Sequence, residues 1–287
     1  MNSKYLRNLC LLAFLFGEPV LTQQELDTTI NTIGYERDLA ISPDGQEVFF
    51  TRQGQHWKDQ TIYRIFKIAG AGWSRPEIAP FSGQYRDLEP FFSPDGKRLF
   101  FASARPKPNR EGEDVDIWMM EKKPGGWGPP VNAGPAINSE KDEYYPSVTR
   151  SGHLYFTAER DGGIGKEDIY RAAFKNGEWL PAEPLDTGVN GTGYEFNAFI
   201  APDESYLVFT AYGRPDDTGR GDLYWSKRKP DGSWEKAINL KAANSDQLDY
   251  CPFVSPDGKI LYYSSEKLGK KNGNIFMLPL ETLKFQL

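Results

Sequence analysis

One hairpin, written five times, limits what this chain can fold into. Its fullest copy runs from Asp87 to Ser103. An apolar run ends at Ser93, Pro94-Asp95-Gly96 reverses the chain, and Leu99-Phe100-Phe101-Ala102-Ser103 leads away. Proline supplies the φ of the first turn position, aspartate caps the backbone just beyond, and glycine accepts φ > 0. With Ser93 as anchor, the equivalent positions are Ser42, Thr149, Ala201 and Ser255, spaced 51 to 56 residues apart. The other turns read Pro43-Asp44-Gly45, Arg150-Ser151-Gly152, Pro202-Asp203-Glu204 and Pro256-Asp257-Gly258. The strand after each turn ends in small residues, at Thr51, Ala102, Thr157, Thr210 and Ser264.

A third strand follows a polar loop in every repeat, at Ile62-Tyr63, Ile117-Trp118, Ile169-Tyr170, Leu223-Tyr224 and Ile275-Phe276. A fourth, carrying Trp73, Trp127, Trp179 or Trp234, is expected in four repeats. Four short strands every fifty-odd residues make a β-propeller blade. The fold class is therefore all-β: a five-bladed β-propeller of four-stranded antiparallel blades. The last repeat lacks its Trp strand, and the missing piece is at the front. Leu21 to Asn31 lines up with Leu180 to Asn190, and Gly34-Tyr35-Glu36 with Gly193-Tyr194-Glu195. An N-terminal strand completing the last blade would shut the ring and protect its edges. One propeller is expected over 21–287. Its blades fall at about 35–83, 84–140, 141–192, 193–246 and 247–287, the last completed by 21–31.

The remaining N-terminal segment has Lys4 and Arg7 ahead of an apolar run from Leu9 to Phe16. That run is too short to cross a bilayer, which takes about 20 apolar residues. Residues 1–20 thus read as a signal peptide, with cleavage around 17–22, and place the protein in the periplasm or outside the cell. Only Cys251 would remain, so packed sheets rather than a disulfide must hold the fold. Net charge is −6 with no basic block, which excludes nucleic acid as the main partner. No transmembrane span is expected, and the chain reads as a monomer.

Catalytic signatures are sparse. There is no phosphate-cradling loop, no Gly-x-Ser-x-Gly elbow and no His-Glu-x-x-His. His56 lies in a loop and His153 follows a turn, where exposure is expected. Neither a histidine triad nor a metal site is expected, and no cofactor. Ser264-Ser265-Glu266-Lys267 matches Ser-x-x-Lys only as a strand end, and Gly162-Gly163-Ile164-Gly165 reads as a flexible loop. Asn190-Gly191-Thr192 is a formal glycosylation sequon.

Two columns of the repeat carry more information. Six residues before each anchor stands an acid: Glu36, Asp87, Glu143, Glu195 and Asp249. Two residues on come Asp38, Glu89, Tyr145, Asn197 and Cys251. Strand alternation would put both columns on one face. Because a propeller's first strands line its channel, five carboxylates would ring one mouth, with Asp38 and Glu89 a layer deeper. Arg105, Arg160 and Lys267, with Arg52 and Arg214, come back beside that ring, and the loops 105–115, 160–167 and 212–221 open on the same face. Symmetric repetition also suits strand-end hydrogen bonding, with Arg105 and Arg160 paired to Asp87 and Glu143.

The stretch Glu89-Pro90-Phe91-Phe92-Ser93-Pro94-Asp95-Gly96 with Leu99 to Ser103 resembles the WD-like repeat of TolB-type periplasmic propellers. Trp127-Gly128-Pro129-Pro130-Val131-Asn132 through Ile137-Asn138-Ser139 to Asp168-Ile169-Tyr170 is similar to the propeller ahead of OmpA-type domains in envelope proteins. The resemblance covers about 21–287. It implies a periplasmic or surface module that binds an envelope protein or a glycan. No OmpA-like domain is present here to carry peptidoglycan anchoring over.

Two functions follow. One is a non-enzymatic binding module using Glu36, Asp87, Glu143, Glu195, Asp249, Arg105, Arg160, Tyr145 and Asn197 at the mouth. The alternative is a glycan-active hydrolase or lyase, since Asp38 and Glu89 break the fivefold symmetry. Glycoside hydrolysis needs a proton donor and a second carboxylate close by.

Overall fold

The repeat folds as its turns dictate. A computed structural model describes residues 23–26, 29–32, 34–56, 58–107, 111–267 and 273–283; the expected signal peptide lies outside them. Five antiparallel sheets surround one axis, four built inner strand to outer strand in chain order and the fifth completed by an N-terminal strand. The inner strands are Tyr35–Ile41, Asp87–Phe92, Glu143–Val148, Tyr194–Ile200 and Asp249–Val254. The second are Glu47–Gln53, Arg98–Ser103, Leu154–Ala158, Tyr206–Tyr212 and Ile260–Ser265. The third are Gln60–Ile68, Asp116–Lys123, Asp168–Ala172, Asp222–Lys227 and Asn274–Pro279. In the turns, the Ser42, Ser93 and Ser255 hydroxyls donate to Asp44, Asp95 and Asp257 at 2.6 Å. The glycines that follow have φ of 64°, 67° and 72°.

The ring closes where the internal match requires. Gln24–Glu25 pairs antiparallel with the third strand of the last blade, Gln24 against Met277 and Glu25 against Phe276. The matching positions 183 and 184 are the outer strand of the third blade, opposite Arg171 and Tyr170. Asn31 and Asn190 then do the same work. Asn31 binds the N–H and C=O of Ile275 at 2.9 Å each, and Asn190 those of Ile169 at 3.0 Å. Asn138 and Asn244 hold Ile117 and Leu223 likewise. These clamps satisfy third-strand backbone groups that a two-residue outer strand leaves uncovered. Asn190 is buried in this role, so the sequon carries no accessible amide.

The tryptophans sit differently from expectation. The outer strands are Glu77–Ile78, Val131–Asn132, Glu183–Pro184 and Ile238–Asn239, each beyond the Trp. Trp73 and Trp127 instead pair with the far ends of the third strands. Trp179 forms a separate ribbon with Phe174, and Trp234 bridges Arg228. Trp179 and Trp234 pack edge-on against the preceding blade, on Phe100 at 6.1 Å and Tyr155 at 6.4 Å, whereas Trp127 packs on Phe92 of its own blade. Phe49, Phe50, Phe100, Phe101, Phe156 and Phe209 are fully buried between sheets. Each contributes roughly 1.5–3 kcal/mol by leaving water.

Candidate functional site

Every inner strand is broken by a bulge at the same column. In the first blade Arg37 faces Thr51 and Ala40 faces Phe49, so two residues, Asp38 and Leu39, oppose one. The other four blades show the same shift. The residue at the bulge is left-handed throughout: Asp38 has φ 59°, Glu89 58°, Tyr145 51°, Asn197 52° and Cys251 54°. Glycine would occupy that conformation without the cost of about 1–2 kcal/mol an L side chain meets. Five side chains held there against that cost fill the axis.

The bulge corrects the expected geometry, because it breaks the alternation that would have set both columns on one face. The first column does not ring an open mouth. All five acids are fully buried, and four bind the arginine of their own blade: Glu36–Arg52 at 2.8 Å, Asp87–Arg105 at 2.7 Å, Glu143–Arg160 at 2.6 Å and Glu195–Arg214 at 2.9 Å. The backbone four residues upstream supplies further donors, from Thr32, Ser139, Gly191 and Ser245. These pairs tie each inner strand to the loop that precedes it. Burial raises the carboxyls of Glu143, Glu195 and Asp249 despite their partners. In the last blade Lys267 replaces arginine, bonding the Tyr263 hydroxyl at 3.1 Å with its ammonium 3.6 Å over Phe276. Burial pulls that amine down to about 8.

The second column makes a different cluster. Arg37 donates through Nε to both oxygens of Asp38, at 2.9 and 3.0 Å, and through Nη2 to Glu89 Oε1 at 2.9 Å. Two carboxyls from neighbouring blades thus share one guanidinium. The other oxygen of Glu89 accepts the Tyr145 N–H at 2.7 Å. Tyr145 reaches across the axis and donates to the Pro252 carbonyl at 2.9 Å, while the Cys251 thiol donates to Asn197 at 3.4 Å. Burial, followed by the charge of Asp38, pushes the Glu89 carboxyl up to about 7, against the pull of Arg37. Phe91, Phe199 and Phe253 close the axis one layer further along, with centroids 5.7–6.3 Å apart. The cluster therefore faces only the loop-rich end.

Strand alternation also hid a third column lying between the other two: Arg37, Leu88, Tyr144, Phe196 and Tyr250. Arg37 lies 5.2 Å over the Tyr250 ring, and Tyr144, Phe196 and Tyr250 pack around Tyr145 and Cys251. The available signal was three aromatics in one repeat column. Beside Tyr144 opens a cleft of about 370 Å³ lined by Asp114, Glu140, Lys141, Asp142, Glu159 and Glu167. His153, expected to be exposed, is half-buried and accepts the Phe174 N–H through Nδ1 at 2.8 Å. The loop at 162–165 is fixed by Asp168, which accepts the N–H groups of Ile164 and Gly165.

No family model matches the chain, and no curated protein does. The resemblance to TolB-type repeats therefore stands on its motifs alone. Solved structures do match. A glycoside hydrolase superposes with a TM-score of 0.60 at 9% identity, over 90% of this chain and 90% of that one. An endo-arabinase from Bacteroides thetaiotaomicron gives 0.54 at 15% identity, over 90% and 97%. Hydrazine synthase of Kuenenia stuttgartiensis gives 0.52 at 13%, over 86% of this chain and 37% of that one. At such identities the likeness shows the five-bladed fold.

Proposed function

We propose that this chain cleaves glycosidic bonds at the loop-rich end of its axis, with Glu89 and Asp38 as the paired carboxyls. The observation that carries the reading is the single Arg37 guanidinium shared by two carboxyls of adjacent blades. Such a pair is buried and short of positive charge, and both conditions favour a proton on Glu89. With its carboxyl near 7, Glu89 is protonated at neutral pH to the extent a general acid needs. It would pass that proton to the glycosidic oxygen as the bond to the anomeric carbon breaks. Asp38 would serve as the second carboxylate, either attacking the anomeric carbon or taking the proton of the attacking water. Arg37 remains beside Glu89 to stabilise the charge that the transfer leaves there. Tyr144 and Phe196, both partly exposed, offer ring faces for the apolar faces of sugar rings. Glycoside hydrolases among the matching folds support this reading, and the N-terminal apolar segment supports a periplasmic or secreted setting.

A panel of polysaccharides assayed for new reducing ends and for unsaturated products tests the reading. Reducing ends without unsaturation, abolished by Glu89→Gln in a folded protein, is the expected result. Unsaturated products would mean a lyase. Equal activity in Glu89→Gln and wild type would remove Glu89 from the chemistry.

One observation favours the binding module instead. Asp38 and Glu89 are 1% and 3% exposed, with Arg37, at 17%, standing over them. A sugar would have to displace that guanidinium. Glycan retained by the wild type with no product formed would establish binding alone.

A further inference from the structure

A second-strand column explains how Glu89 is held. Thr51, Ala102, Thr157, Thr210 and Ser264 are equivalent, and four of the five carry a hydroxyl. Two of these hydroxyls accept the N–H of the bulge residue of the next blade, while those of Thr210 and Ser264 are buried without a hydrogen-bond partner. Thr51 takes the Glu89 N–H at 3.0 Å, and Thr157 takes that of Asn197 at 3.0 Å. In the second blade the column holds Ala102, fully buried against Leu88 and Val115. The next bulge residue, Tyr145, finds no hydroxyl there, and its N–H goes to Glu89 Oε2 at 2.7 Å. A backbone amide with no side-chain acceptor has thereby become the second anchor of a buried carboxyl, opposite Arg37.

We infer that Ala102 is a positioning residue: by lacking the hydroxyl that Thr51 and Thr157 supply in their blades, it leaves the Tyr145 amide to Glu89 and fixes that carboxyl between three blades. The inference rests on the reading of Glu89 as proton donor. Blade one contributes Arg37 and the Thr51 hydroxyl, blade two contributes Glu89, and blade three contributes the Tyr145 amide. The groups facing Glu89 are Arg37 and Asp38 from the first blade, Arg86 ahead of the second, the Tyr145 hydroxyl from the third and the Cys251 thiol from the fifth. Of these, only the amide bond changes when a hydroxyl is placed at 102. That bond favours the ionised form of Glu89.

The test compares Ala102→Thr with Ala102→Val, which add nearly the same volume and differ in the hydroxyl. In Ala102→Thr the introduced hydroxyl should accept the Tyr145 N–H as Thr51 and Thr157 do in their blades. The Glu89 titration, followed by carboxyl ¹³C NMR, should then move up by about one unit, the scale of one lost charge-assisted hydrogen bond. The alkaline limb of the pH–rate profile should move up with it, with KM unchanged. Ala102→Val should titrate as wild type. Ala102→Ser gives the same comparison with a smaller added volume should threonine unfold the blade. Equal titration of the hydroxyl and valine variants would overturn the inference. Absence of glycan cleavage by the wild type would instead refute the hydrolase reading, while the titration still decides the hydrogen-bond exchange.

Discussion

Two glutamates at opposite ends of the blades show how the same parts give opposite results. Glu89 and Glu204 both have left-handed backbones, φ 58° and 60°, and both are bonded to arginine across a blade boundary. At Glu204, Arg171 lies at 3.0 Å, Arg228 at 3.0 Å and the Tyr155 hydroxyl at 2.7 Å, with His153 3.9 Å away. One carboxylate there has two guanidinia. At Glu89 two carboxylates share one bonded guanidinium, with the charge of Arg86 further off. Burial works against ionisation at both. At Glu204 it is outweighed by the bonds from Tyr155 and Arg171, and the carboxyl falls below its ordinary value. At Glu89 burial and Asp38 prevail, and it rises to about 7. The ratio of cations to carboxylates therefore separates a staple between blades three and four from a site that stores a proton.

The largest effect that could break this comparison is on activity. Glu89→Gln should lower kcat/KM by roughly 10²–10⁴, the usual contribution of a general acid. Glu204→Gln should leave it unchanged. Reducing-end assays on both variants check this; comparable losses in the two would mean that neither glutamate is special.

Next in size is the pH dependence of stability, where the two sites should have opposite signs. Glu89 has a raised folded value, so the folded state holds its proton longer than the unfolded state does. Its contribution is therefore most favourable below the ordinary glutamate value of 4.5 and is lost as pH rises through about 7. Glu89→Gln should consequently stabilise the protein above pH 7, by about 3 kcal/mol at most. Glu204 has a lowered folded value. Its contribution is complete above the ordinary value and is lost as pH falls below it. Melting curves from pH 4 to 8 on both variants test the signs. A Glu89→Gln protein less stable than wild type at pH 8 would make the Arg37 cluster a staple as well.

How much of this the sequence revealed depends on which residues mark which event. The blades were legible because turn chemistry is local: Pro-Asp-Gly reverses a chain wherever it stands. Ring closure was legible because Asn31 and Asn190 lie in matching segments. The outer strands escape a sequence reading because a two-residue strand has no apolar pattern, whereas the conspicuous Trp73 and Trp127 pair with the far ends of the same third strands. The bulge was invisible for a physical reason. Its left-handed position holds Asp38, Glu89, Tyr145, Asn197 and Cys251, where glycine would normally announce it. Strand alternation carried through such a break gives the wrong face, and no motif marks Arg37, which organises the site. Asp38 and Glu89 remained recognisable because they broke the symmetry of their own column.

A smaller effect concerns the staple alone. Glu204→Ala removes the partner of Arg171 and Arg228 and leaves both near His153, whose imidazole burial and Arg171 already hold below its ordinary value. These guanidinia are about a quarter exposed, so the loss should be about 2 kcal/mol, less than for a fully buried pair. Denaturant unfolding with unchanged slope would read it directly.

The smallest effect isolates backbone strain from charge. Glu204 stands where the other four turns have Gly45, Gly96, Gly152 and Gly258, with φ between 64° and 87°. Its side chain is therefore kept in a conformation that glycine would adopt more cheaply. Glu204→Gly and Glu204→Ala both remove the carboxylate, but only glycine also relieves the left-handed strain. The glycine variant should be more stable than the alanine variant by about 1 kcal/mol. This runs against the usual order of the two residues, since alanine restricts the unfolded chain. If alanine proves equal or better, then φ 60° at this turn costs nothing. The strain argument for the five axial residues, Glu89 among them, would weaken with it.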